Sequence, residues 1–240
     1  LDTHSLLPSV APPRGGCIFF PWGKEMYTLI TFATHWGSKF GGINSFNTDF
    51  LCAFGVAYHF SVQVICIVLG ASDEETTEAK KSYVSLVPLP YAPQDKLFTA
   101  AHGLAGIEEL KKRNIIFAPE MTVWLGHDRI TGAATNAAAK AAGSLSALIH
   151  HMSYDHYESY AENSQTANHK SQEQKGLFTQ TDIVIAVGPL LRDALKDLLC
   201  ASKPVHTLIP GLAEIVPVEA PITFTAFLSG RLSEDAERIK

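Results

Sequence analysis

Three short stretches hold the residues whose types and spacing point to chemistry. The first is Trp36-Gly37-Ser38-Lys39-Phe40-Gly41-Gly42-Ile43-Asn44. Glycines let a backbone approach a ligand closely, and a helix opening near Asn44 would aim free N–H groups at an anion placed there. The spacing is neither a GxGxxG dinucleotide fingerprint nor a Walker A loop, so a plain tight connection between strand and helix stands equally open. The second is Trp124-Leu125-Gly126-His127-Asp128-Arg129, where His127 and Asp128 close a short apolar run. There a His-Asp pair can hydrogen-bond a polar substrate; its structural alternative is a loop histidine with an aspartate capping the helix near Thr131. The third is His150-His151, followed by Met152-Ser153-Tyr154. Neighbouring strand residues point to opposite faces, so the two rings do not readily share one ion; one faces a cleft and the other packs or caps.

Other chemistries find no support. Cys17, Cys52, Cys66 and Cys200 contain no CxxC pair, and Cys200 and His206 are too isolated to argue for zinc. No serine sits in a GxSxG elbow. Tyr154, Tyr157 and Tyr160 recur every third residue and read as one face of an exposed helix. No metal and no resident cofactor is expected.

The elements that must position these residues alternate along the chain. Apolar or β-branched runs at 27–34, 62–69, 84–89, 123–126, 145–150, 182–187 and 205–209 predict strands. Helical patterns occupy 44–58, 106–113, 133–142 and 189–199, the last with Pro189 in its first turn, and the polar stretch 153–175 suits an exposed helix or two. Strands separated by helices predict an α/β, Rossmann-like parallel sheet with helices on both faces. Residues 1–24 form an irregular Pro- and Gly-rich lead-in, 25–212 the Rossmann-like domain, and 213–240 a linker with one strand, 223–229, belonging to a further, truncated domain. With Leu1 in place of an initiator Met, an excerpt or a processed product is expected.

Composition narrows the function classes. The 240 residues carry a formal net charge of −5, which argues against a general nucleic-acid binder, since phosphate neutralisation needs a basic surface. Hydrophobic residues at 46% and charged residues at 18% suit a globular protein, and no uninterrupted apolar run reaches the ~20 residues of a membrane span. Few, scattered cysteines point to a reducing, cytoplasmic compartment.

Taken in order, the segments 36–46, 123–134 and 148–153 resemble glycosyltransferase family 4, as do Ala186-Val187-Gly188-Pro189-Leu190-Leu191, Ile209-Pro210-Gly211-Leu212 and Phe227-Leu228-Ser229-Gly230-Arg231-Leu232. That group of retaining GT-B enzymes includes sucrose-phosphate synthase and many bacterial hexosyltransferases. The resemblance implies the N-terminal, acceptor-side half of a GT-B fold, facing a second Rossmann-like domain in cis that grips a nucleotide-sugar donor. It implies that Gly41 and Gly42 approach the donor phosphates or sugar, and that His127 and Asp128 face the acceptor and the transferring sugar. His151 would hydrogen-bond that sugar, while Arg231, with Lys240 as a partner, would offset the leaving diphosphate. The partners implied are a nucleotide-sugar and a sugar or other hydroxyl acceptor. Almost the whole donor domain would be missing, so residues 1–240 are expected not to transfer sugar unaided. Two alternatives stay open: a glycosyltransferase-like recognition or signalling module of a larger multidomain protein, and an α/β domain of another nucleotide-binding class.

Overall fold

The computed structural model describes residues 26–90, 97–154 and 164–211. The expected lead-in, the expected linker and further strand, and Tyr157 and Tyr160 lie outside these residues. Seven strands form one sheet: β1 (Tyr27–Phe32), β2 (Val62–Val68), β3 (Val84–Pro88), β4 (Thr122–His127), β5 (Leu145–His150), β6 (Ile183–Val187) and β7 (Val205–Leu208). Their order is β3-β2-β1-β4-β5-β6-β7, and every neighbouring pair is parallel. This is the Rossmann-like architecture expected of half a GT-B fold.

Side-chain alternation splits the core into layers. Leu29, Val64, Cys66 and Leu125 pack toward one face with Leu51 of α1 (Gly42–Tyr58). Ile30, Phe32, Ile65, Ile67 and Trp124 pack toward the other, against Ile107 and Leu110 of α3 (Ala100–Lys112) and Ala134 and Ala138 of α4 (Asp128–Ala142). Strands clothed on both sides need apolar residues at nearly every position, which is why β2 reads as a continuous hydrophobic run. A third cluster joins Leu148 and Val184 to Phe178 of α5 (Ser164–Gln180) and Leu195 of α6 (Pro189–Leu198).

Two helices begin earlier than their apolar pattern suggests. α3 starts at Ala100 rather than Gly106, and α4 at Asp128 rather than Ala133. A further helix, α2 (Asp73–Lys81), has no apolar periodicity, and Ala79 is its only buried residue. Local chemistry holds it instead. Ser72 and Glu75 form a reciprocal capping box, acids fill the first turn, and Lys80 and Lys81 close the last.

The topology fixes where a ligand can sit. From β1 the chain leaves through α1 toward β2, and from β4 it leaves through α4 toward β5, on the opposite side of the strand order. β1 and β4 are hydrogen-bonded neighbours whose connections diverge, with Thr31 opposite Leu125. Such a switch point opens a crevice beyond the carboxyl ends of its strands. The glycine stretch follows β1, and His127-Asp128 follow β4.

Candidate functional site

The turn after β1 is built around glycine backbone. Gly37 and Gly41 have φ of 99° and 104° with extended ψ, a conformation open almost only to glycine. Gly41 precedes α1 without any side chain capping the helix, so its first N–H groups lack a side-chain partner. At Gly42 φ is ordinary, and an added Cβ would meet nothing within 4 Å. Asn44 ties the turn together: its Oδ1 accepts from the His35 N–H at 3.2 Å, while its Nδ2 donates to the Phe40 carbonyl at 3.1 Å. The Gly37 N–H donates to the Thr48 hydroxyl at 2.9 Å. Outside this turn lies an open cavity of about 830 Å³, lined by Trp36, Lys39, Thr48, Asp49 and acids of α2. It does not include His127, Asp128 or His151.

Inward of the turn, α1 reaches the ends of β4 and β5 through Asn47. Its Oδ1 lies 2.8 Å from Nε2 of His127, and Nδ1 of His127 lies 3.0 Å from Nε2 of His151. Asn47 and His127 are wholly buried. Phe46 sets its ring edgewise to both imidazoles, at 4.8 Å from His151 and 6.3 Å from His127 between centroids. Burial holds the His127 pKa well below the ordinary histidine range, and the neighbouring His151 lowers it further. Burial likewise lowers His151 to about 4, with Asp128 opposing and His150 reinforcing the shift. Both rings are therefore neutral at physiological pH.

Asp128 belongs to a separate cluster. At φ 49° its backbone takes a left-handed turn that a short polar side chain tolerates, and its carboxylate reaches under the end of β5. There Oδ2 accepts from the backbone N–H groups of His151 at 2.9 Å and Met152 at 3.3 Å. Gln174 of α5 donates to Oδ1 and to the Met152 carbonyl at 3.0 Å. His150 Nδ1 stands 3.4 Å from Oδ2, and its ring meets Phe178 edgewise. The helix-capping bond near Thr131 runs in the other sense: the His127 N–H donates to the Thr131 hydroxyl at 2.7 Å.

The structure thus brings His127, Asp128 and His151 to one corner of the sheet, with Gly41 and Gly42 at the opening of the helix that supplies Asn47. His150 and His151 part as strand alternation requires, one into the aspartate cluster and one onto His127. Arg231 and Lys240 lie outside the described residues. Sequence reading missed Asn47, Phe46 and Gln174. The signal for Asn47 was present: α1 buries Asn44, Asn47, Leu51 and Gly55, so two amides occupy positions where an apolar stripe belongs. In α5, Ala167, Ser171, Gln174 and Phe178 show the same intrusion of polar residues.

Among the described residues no three His, Cys, Asp or Glu side chains come together as a metal would need, and no helix is long and apolar enough to cross a membrane. The model of the family described as Family 4 Glycosyltransferase in conflict systems matches residues 30–240. No curated protein matches the chain significantly.

Proposed function

The chain belongs to the family 4 glycosyltransferases of conflict systems, and from that premise we propose that it is the acceptor-side half of a retaining enzyme. That enzyme moves a hexose from a nucleotide-sugar to a hydroxyl acceptor. One coincidence supports this reading above the rest. At the sheet's switch point, the helix with the uncapped, glycine-opened N-terminus carries Asn47 and Phe46 onto a pair of neutral histidines.

The chemistry needs those parts. As the bond from the anomeric carbon to the diphosphate oxygen breaks, negative charge gathers on the leaving group and positive charge on the sugar ring. Backbone N–H groups at the start of α1 suit the first charge. Arg231 and Lys240 are assigned to the same diphosphate on the strength of the family resemblance. The departing oxygen takes the proton of the acceptor hydroxyl while the new carbon–oxygen bond forms on the same face, so no strong protein base is required. His151, partly open and neutral, is the group that touches the sugar. His127 and Asp128 are too deeply buried for contact and act as positioning residues: His127 holds the His151 ring, and Asp128 holds its backbone. Nucleotide binding falls to a second domain in cis, and the few, scattered cysteines of the sequence suit a cytoplasmic setting.

Calorimetric titration of UDP, GDP and ADP and their glucose conjugates into the full-length protein tests the reading. We expect one nucleotide to bind selectively, with affinity reduced in Arg231→Ala. A folded protein that binds none of the six ligands would overturn it and favour a recognition module.

A further inference from the structure

Resting on that reading, we infer that Asn47 is a positioning residue that sets the hydrogen-bond polarity of the whole histidine pair, leaving His151 an acceptor-only edge for a sugar hydroxyl. The argument runs outward from the core. Asn47 Nδ2 donates to Cys66 Sγ at 3.5 Å, and Oδ1 faces His127. An amide oxygen can only accept, so the His127 nitrogen 2.8 Å away, Nε2, carries the proton.

A neutral imidazole has one N–H and one bare nitrogen. Nδ1 of His127 is therefore bare, and the contact at 3.0 Å requires His151 to donate from Nε2. His151 is left with a bare Nδ1, which has no hydrogen-bond partner among the described residues. Two features oppose a second proton on this chain. Burial of both rings disfavours charge and outweighs the Asp128 carboxylate that favours a proton on His151, and a neighbouring histidine opposes charge at each ring, His151 at His127 and His150 at His151. The Cys66 thiol, pushed up to about 11 by burial, stays protonated and supplies no counter-charge.

Reversing the polarity takes rotation of the Asn47 amide together with a tautomer change at both rings. Nδ2 would then donate to His127 Nε2, His127 would donate from Nδ1, and His151 would present an N–H outward. An N–H edge suits a carboxylate or phosphate; a bare nitrogen repels both and accepts from a hydroxyl. A single buried amide, the sixth residue of α1, thereby decides which chemical group is welcome at the end of β5.

The test is the protonation state of each ring nitrogen, read by two-bond proton–nitrogen correlation NMR on the ligand-free protein near neutral pH. We expect Nε2–H and bare Nδ1 for both His127 and His151. Asn47→Asp, whose ionised carboxylate can only accept, keeps the proton on His127 Nε2. Asn47→Leu, which removes the acceptor, loses the wild-type pattern at both rings. A wild-type spectrum with Nδ1–H on His127 overturns the inference without any variant, as does an unchanged pattern in folded Asn47→Leu. Neither result depends on nucleotide binding, so this inference and the transferase reading fail separately.

Discussion

Two buried polar clusters lie side by side at the carboxyl ends of β4 and β5, and they are built on opposite plans. The Asn47–His127–His151 chain contains no charge, and each link is a single hydrogen bond along a line from core to crevice. The Asp128 cluster holds a carboxylate enclosed by two backbone N–H groups and Gln174. A buried charge must be fully paired, and a fully paired carboxylate has little left to offer a substrate. A neutral chain tolerates one open end. The comparison separates two residues adjacent in sequence: Asp128 shapes the loop after β5, and His127 orients the ring that the loop presents.

The sharpest way to break this contrast is to remove the carboxylate. Asp128→Ala leaves the N–H groups of His151 and Met152 and the Gln174 amide without their acceptor, and it should cost about 3 kcal/mol or more. Urea denaturation measures the loss; a cost below about 1 kcal/mol would mean the cluster is not the structural one. The neutral chain should instead show itself through pH. His151 falls from an unfolded value of about 6.5 to about 4 in the folded protein, chiefly through burial. Between those values the unfolded state binds more protons, so the contribution is complete above pH ~6.5 and is lost as pH falls toward ~4. The difference corresponds to roughly 3 kcal/mol at full extent, and His151→Gln should flatten the denaturation profile in that window.

Smaller effects mark the edge of the open cluster. Gly41→Ala should destabilise by about 1–3 kcal/mol, because its φ of 104° strains any side chain. Gly42→Ala, with ordinary φ and free space, should stay within about 0.5 kcal/mol of wild type while weakening nucleotide-sugar binding. Thermal denaturation alongside calorimetric titration separates the two. Equal binding by Gly42→Ala and wild type would show that no ligand comes close at that position.

The sequence by itself determined the sheet. Long apolar runs such as Val62–Val68, spaced by helical patterns, leave few ways to bury so many β-branched residues other than a parallel sheet covered on both faces. It also placed His127, Asp128, His151 and the glycine turn at the ends of strands, because strand ends and glycines are local signals. Helix starts were less legible: α2 is held by a capping box and charges, and α4 opens on His127-Asp128, features that apolar periodicity does not register. What tertiary structure alone decided is which polar side chains meet. Asn47 and His127 are 80 residues apart, and Gln174 and Asp128 are 46 apart. No local spacing rule links such pairs; only the order β1-β4-β5, with α1 and α5 laid against its ends, brings them within hydrogen-bonding distance. Hydrogen bonds act over about 3 Å, so the pairing that places His127 and Asp128 in separate clusters is set by the packing of the helices.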